Sequence, residues 1–301
     1  MTAPTVRHLT EDWVAEHLMP RPERAHKGDF GRMLVIAGSV EYPGAAMLTG
    51  LGAMRAGAGV VTIAAAQSVA DRLAGIVPEL TWMVLDEEAP GLIAPSGWRR
   101  ATAEAAAYDT VVIGPGLGRQ PATLRRTRNL VGAIRGRAVI DADGLNALAD
   151  GARWWQALKG EHVLTPHPGE FGRLIGGEVP TVEDDAGRAQ AASDAAARWN
   201  QVVVLKGANT VVASPQGDVL RSNVASPALA TAGSGDVLAG VIGAFVAAGS
   251  EPFVAAGCGV AVHGAAGLLA ESRIGRAGVM ARDIADLLPA AMEQLRGGRS
   301  G

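Results

Sequence analysis

The chain has 301 residues, 48% of them hydrophobic, and a formal net charge of -3. That length can bury a full core as one large α/β domain or two small ones, and the slight acidity gives no general electrostatic reason to bind nucleic acid. Its one cysteine, Cys258, excludes an internal disulfide and any CxxC metal site, and suits a reducing, cytoplasmic compartment.

Residues 1–26 mix Arg7, Glu11, Asp12, Glu16 and Glu23 with scattered apolar positions, without the continuous apolar run of a signal peptide. Short β-rich runs then alternate with longer Ala-rich segments. Strands are expected over 32–37, 60–65, 110–113, 137–141, 163–164, 202–206 and 210–213. Helices are expected over 44–55, 121–134 with Pro121 at the first position, 184–199, 237–248 and 253–270. Such alternation implies a largely parallel sheet covered on both faces, with functional groups at the carboxyl ends of the strands. No Pro- or Ser-rich linker divides the chain, so residues 1–301 are expected to form one domain. The segments 237–248 and 253–270 are apolar enough to suggest membrane spans. Their Ala/Gly composition, and His263 in the second, read better as helices packed closely on a sheet, and no membrane partner is expected.

Glycines and polar residues follow the strands. Gly38-Ser39 comes after the first, and Gly114-Pro115-Gly116-Leu117-Gly118 after 110–113. Asp141-Ala142-Asp143-Gly144 closes 137–141, and Thr165-Pro166-His167-Pro168-Gly169-Glu170 follows 163–164. Singly, each has a plain structural reading. GPGLG lacks the GxGxxG spacing and makes a turn as readily as a site. Asp141 and Asp143 either cap the next helix, the simpler role, or hold a hydrated metal. The prolines beside His167 argue against a core histidine. Lys206, one of three lysines, ends a Val-rich strand and needs an anion, either a ligand or a structural carboxylate. The run Ala232-Gly233-Ser234-Gly235-Asp236 opens an apolar helix. There the N–H groups of Gly233, Ser234 and Gly235 are expected to face outward as an anion site, with Asp236 placed as a base.

Together the segments are more specific. Lys27-Gly28-Asp29-Phe30-Gly31-Arg32, Val35-Ile36-Ala37-Gly38-Ser39, Tyr42-Pro43-Gly44-Ala45-Ala46 and Arg55-Ala56-Gly57-Ala58-Gly59, followed in order by GPGLG, DADGLN, TPHPGE, LKGANT and TAGSGDVLAG, strongly resemble the ADP- or ATP-dependent NAD(P)H-hydrate dehydratases. The resemblance covers about residues 25–290. It implies a ribokinase-like three-layer α/β/α sandwich around a largely parallel sheet. It also implies that Ala45, Gly116 and His167 line the hydrated nicotinamide nucleotide, NADHX or NADPHX. Lys206, Gly207, Ala208, Asn209 and Thr210, with Gly233, Ser234 and Gly235, would hold the adenine nucleotide, and Asp236 would meet the reacting end of the substrate. Glu170 matches the acidic end of a metal motif whose usual first Asn is His167 here, which implies Mg2+ held through water rather than directly.

The implied chemistry starts from a poor leaving group, the ring hydroxyl. Asp236 would take its proton as the oxygen attacks the terminal phosphate of ADP, and the glycine-turn amides would hold the phosphoryl group. Expulsion of phosphate by the ring nitrogen lone pair would then give NAD(P)H, with AMP as the other product. Further expectations from the resemblance are ADP in preference to ATP, a homotetramer, and a separate epimerase protein. The competing readings are a small-molecule kinase of the same fold, which would accumulate phosphorylated substrate, and a non-catalytic nucleotide sensor.

Overall fold

Runs such as Met33-Leu34-Val35-Ile36 and Val202-Val203-Val204-Leu205 have no polar face to turn to water, so helices must cover them above and below. In the computed structural model, which describes residues 4–181 and 183–297, both runs are buried in a ten-stranded sheet. In chain order the strands are β1 (Val6–His8), β2 (Arg32–Ile36), β3 (Val60–Ala66), β4 (Thr81–Leu85), β5 (Glu87–Ala89), β6 (Leu92–Ile93), β7 (Thr110–Ile113), β8 (Arg137–Ile140), β9 (His162–Leu164), β10 (Val202–Leu205), β11 (Val211–Ala213) and β12 (Val219–Arg221). β5 and β6 pair with each other as a small hairpin. The rest run β1-β12-β11-β10-β9-β8-β7-β2-β3-β4 across the sheet. Pairing is parallel except where β11 meets β10 and β12.

Chain direction across the sheet reverses between β2 and β7. β3 and β4 build outward on one side and β8 to β10 on the other, so the loops leaving β2 and β7 diverge and open a crevice at the carboxyl edge. The helices are α1 (Glu11–His17), α2 (Pro43–Arg55), α3 (Gln67–Leu73), α4 (Pro95–Glu104), α5 (Pro121–Ala133), α6 (Asp143–Ala149), α7 (Pro168–Ile175), α8 (Asp185–Trp199), α9 (Ser234–Ala247), α10 (Pro252–Ile274) and α11 (Ala281–Gly297). α2, α9, α10 and α11 pack together on one face, and α4 to α8 cover the other.

The Ala/Gly composition of the apolar segments has a direct cause in this layer. α2 and α9 cross so closely that a Cβ on Gly240 would overlap the Thr49 carbonyl, and one on Gly52 would lie 2.6 Å from the Val237 carbonyl oxygen. Leu-rich helices could not approach to that distance. Among the described residues α10 is the one helix long and apolar enough to cross a membrane; 67% of its apolar window is buried inside the fold against α9, α11 and the sheet.

All seven expected strands are present, with each end within one residue of its predicted place. Two helices differ more. α9 begins at Ser234, three residues earlier than its apolar run, and α10 continues through Glu271, Ser272 and Arg273 to Ile274. The elements not expected from sequence are β1, β4, β5, β6, β12 and the helices α1, α3, α4, α7 and α11; α6 is implied only as the helix following Asp141 and Asp143.

Candidate active site

The last carboxyl-edge step of the sheet carries Lys206, directly after β10. Its Nζ lies 2.7 Å from Asp141 Oδ1 and 3.9 Å from Glu170 Oε2. Asp141 follows β8, is 1% exposed, and also accepts a 2.7 Å hydrogen bond from Thr165 Oγ1. A carboxylate buried this far needs a cation and donors, and Lys206 and Thr165 supply both. Asp143 accepts from the Gly118 amide at 2.9 Å, from Arg119 Nε at 3.2 Å and from Asn146 Nδ2 at 3.0 Å, tying the glycine loop after β7 to the start of α6. Neither aspartate caps α6, contrary to the simpler expectation. The N-cap position is Ala142, with φ 48° and no side-chain bond, because both carboxylates are committed within the crevice.

His167 and Glu170 form a capping box on α7. Glu170 Oε2 accepts from the His167 amide at 2.9 Å, and His167 Nδ1 accepts from the Gly169 amide at 3.0 Å. The His167 ring is half-exposed, and its partial burial together with nearby Lys206 pushes its pKa down. Burial raises the Glu170 carboxyl, with Lys206 opposing.

Gly233, with φ 87°, turns the chain into α9 in a conformation that costs other residues strain. The outward amides differ from expectation at one place. The Ser234 N–H donates back to the Thr231 carbonyl at 3.2 Å, whereas the amides of Gly233, Gly235 and Asp236 have no backbone acceptor among the described residues. Lys206 Nζ would stand 3.4 Å from a Cβ built on Gly235, so the lysine spans from Asp141 to this helix start. Asp236, half-buried in the first turn, has its carboxyl pushed up to about 7. Burial is the main cause, followed by Asp141, while Lys206 pulls the other way and Asp143 and Glu170 add further negative potential.

Ala45 and Gly116 meet across the crevice between β2 and β7. A Cβ on Gly116 would fall 2.8 Å from both Ala45 Cβ and Tyr42 Cβ, and the Gly38 amide donates to the Pro115 carbonyl at 2.8 Å. From there the Gly118–Asp143 hydrogen bond leads to the carboxylate cluster, in which Asp143 acts on Asp236 through its charge. The turn Lys206-Gly207-Ala208-Asn209-Thr210 continues away from them, held by Thr210 Oγ1 donating to the Gly207 carbonyl at 2.9 Å and the Asn209 amide donating to Val224 at 3.1 Å.

Two residues that sequence reasoning passed over organise this turn. Arg188, fully buried, donates to the carbonyls of Ala208 at 2.6 Å and of Leu205 and Lys206 at 3.2 Å each. Asp185 accepts from Arg221 at 2.9 Å and from Asn209 Nδ2 at 3.4 Å. The available signal was periodicity. Arg188, Ala192, Ala195 and Trp199 lie on one buried stripe of α8, where an arginine has no reason to be unless it has acceptors.

Two clefts lie elsewhere, one of about 440 Å³ between α4 and α5 lined by Trp98, Arg126 and Leu130, the other of about 370 Å³ beside the Arg55–Asp286 ion pair. Neither contains any of the residues above. The carboxyl-edge crevice is where titratable groups converge and shift one another. Among the described residues no three His, Cys, Asp or Glu side chains close on a single metal position. Asp141, Asp143, Glu170 and Asp236 nevertheless outnumber Lys206 and Arg119, an acidic set that fits a hydrated cation better than a directly ligated one.

Sheet order, flanking layers and glycine-headed α9 define a ribokinase-like fold. The Carb_kinase family, described as NAD(P)H-hydrate dehydratase, matches residues 33–290. An ADP-dependent (S)-NAD(P)H-hydrate dehydratase of Xanthomonas campestris is 37% identical over 98% of this chain and 99% of its own. The bifunctional NAD(P)H-hydrate repair enzyme Nnr of Moorella thermoacetica is 40% identical over 96% of this chain, which spans 54% of that relative's length. The ADP/ATP-dependent NAD(P)H-hydrate dehydratase of Bacillus subtilis, co-crystallised with ATP and Mg2+, superposes with a TM-score of 0.82 at 33% identity, covering 98% of this chain and 99% of its own. The chain belongs to the NAD(P)H-hydrate dehydratase family.

Proposed function

We propose that the protein repairs hydrated nicotinamide nucleotides, dehydrating (6S)-NAD(P)H hydrate to NAD(P)H while ADP is converted to AMP and phosphate. The observation that carries this reading is Asp236, a carboxyl held near 7 in the first turn of a helix whose neighbouring amides are free. A base of that pKa is half deprotonated at neutral pH and close to ideal for taking a hydroxyl proton. The amides of Gly233 and Gly235 and the ammonium of Lys206 would meet the phosphoryl group as negative charge shifts within it. Ala45, Gly116 and His167 would line the hydrated nicotinamide end, and Lys206 to Thr210 the adenine nucleotide.

Proton balance is simple on this scheme. The substrate hydroxyl loses its proton to Asp236, its oxygen bonds the terminal phosphorus of ADP, and AMP departs. Phosphate then leaves the ring carbon with its bonding pair, the ring nitrogen lone pair compensates, and loss of a neighbouring ring proton restores the dihydropyridine. Asp141, Asp143 and Glu170 would hold Mg2+ through waters, and the ion would supply charge neutralisation to the nucleotide phosphates. The family resemblance also supports a single domain, a cytoplasmic homotetramer, and an epimerase as functional partner, the last by analogy with the bifunctional relatives.

The test is an absorbance assay for reduced nicotinamide regenerated from prepared NADHX and NADPHX, run with ADP and with ATP and with product analysis. Turnover with ADP ahead of ATP, and AMP and free phosphate as products, is expected. Accumulation of a stable phosphorylated substrate would instead identify a small-molecule kinase.

A further inference from the structure

His263, buried in α10, reaches the first turn of α9, where its Nε2 lies 3.0 Å from the Ser234 carbonyl oxygen and 3.1 Å from Ser234 Oγ. A carbonyl oxygen can only accept, so Nε2 carries the ring proton and donates towards both Ser234 oxygens. Burial pushes the imidazole down to about 4, and the Lys206 charge acts in the same direction, so the ring is neutral at physiological pH.

The consequence falls on Ser234. Its amide is already used, donating to Thr231, so the backbone of this residue offers nothing to a ligand. Its hydroxyl oxygen accepts from His263, and among the described residues the hydroxyl hydrogen has no other acceptor within bonding distance. A histidine of the opposite tautomer would consume that hydrogen. This one leaves it free, on the residue that lies in the chain between Gly233 and Gly235, whose amides are unpaired.

We propose that His263 is a positioning residue: by fixing Ser234 Oγ as an acceptor, it frees the Ser234 hydroxyl to donate to an oxygen of the nucleotide's terminal phosphate. The Ser234 hydroxyl then replaces the Ser234 amide that the Thr231 turn has removed from the anion site. The proposal rests on the reading of Gly233 to Asp236 as the phosphoryl position.

The experiment combines one spectroscopic and one binding measurement on the full chain. Long-range 1H–15N NMR of the intact protein should show His263 as the Nε2–H tautomer throughout neutral pH; an Nδ1–H tautomer overturns the proposal. Calorimetric ADP titrations then compare Ser234→Ala, His263→Leu, His263→Gln and the Ser234→Ala/His263→Leu double variant. Each of Ser234→Ala and His263→Leu should weaken ADP binding about tenfold, the worth of one hydrogen bond to a charged acceptor. The double variant should be no weaker than either single one, because both remove the same donor. His263→Gln, whose side-chain amide donates from nearly the same place, should return to within about threefold of the parent. Multiplying losses, or a His263→Leu variant that melts lower yet binds ADP normally, would reduce His263 to a tie between helices and overturn the proposal. A parent protein that binds ADP through this hydroxyl but fails to dehydrate NADHX overturns the proposed function alone; one that binds no ADP overturns both.

Discussion

Asp236 is where function and stability pull in opposite directions. Its carboxyl titrates near 7 in the fold against an ordinary 3.8, so between those values the folded state holds a proton that the unfolded chain has released. Raising pH through that window therefore favours unfolding, and the full penalty is present above 7, at most about 4 kcal/mol. The same charge is the working base, so turnover should rise with pH through an inflection near 7 and fall on acidification. Asp236→Asn separates the two effects. It should lower kcat by ~10²- to 10⁴-fold while raising Tm above the parent at pH 8, with the difference closing as the pH falls towards 4. A lower Tm at pH 8 would show that the carboxylate merely complements the helix dipole. Lys206 acts on the same balance from outside. Sequence alone required an anion for it and left ligand and carboxylate open; the structure supplies Asp141. Lys206→Ala should leave that buried carboxylate unpaired, costing about 3–5 kcal/mol, and should move the inflection of the pH–rate profile upward. An unmoved inflection would mean that Lys206 does not reach Asp236 electrostatically.

Among the elements, legibility followed the length of the local signal. Val-rich strands of four to seven residues announce themselves, and Pro121 marks the start of α5. β1 and β12, three residues each, exist because Val6, Arg7 and His8 pair with Val219, Leu220 and Arg221, a contact between segments far apart in sequence that no local pattern encodes. α7 did carry its signal, Pro168 at the first position and a reciprocal cap three residues apart, but His167 and Glu170 looked more like a metal motif than a helix start. α8 was visible, yet its most consequential residue was not, because Arg188 reads as ordinary polarity in an Ala-rich helix until its three carbonyl acceptors are seen. Two of these acceptors, Lys206 and Ala208, belong to the turn assigned to the adenine nucleotide and the third, Leu205, ends the strand before it, which gives Arg188 a measurable role. Arg188→Lys keeps a charge but not the fork, and should raise the apparent KM for ADP about 5- to 10-fold with kcat within about twofold. A fall in kcat at unchanged KM would instead place the effect of Arg188 at Asp236.

At the scale of the whole molecule, acid is expected to act on the fold through two buried histidines, one in the sheet and one in a helix. His162 begins β9 fully buried with neither ring nitrogen hydrogen-bonded, and His263 sits under the start of α9; burial pushes both pKa values down to about 4. Neutral when folded, each takes up a proton near 6.5 once unfolded. The stability that depends on their neutrality is therefore complete above 6.5 and is lost as pH falls towards 4, by up to about 3 kcal/mol for each ring. Asp236 works against them throughout this window, since between 3.8 and about 7 its raised pKa favours the fold as pH falls, so the net acid slope should be shallower than two protons. His162 is the cleaner probe because it makes no bond to the site. His162→Leu removes two unsatisfied nitrogens from the core as well as the proton uptake, and should be at least as stable as the parent at pH 5. Urea titrations at pH 7, 6 and 5 measure this directly: the slope of unfolding free energy against pH should fall by nearly one proton in His162→Leu, while the pH–rate inflection set by Asp236 stays where it was. If the acid slope is unchanged, the sensitivity lies in the carboxylate cluster of the crevice. If the rate inflection moves with it, loss of activity in acid reflects unfolding rather than protonation of the base.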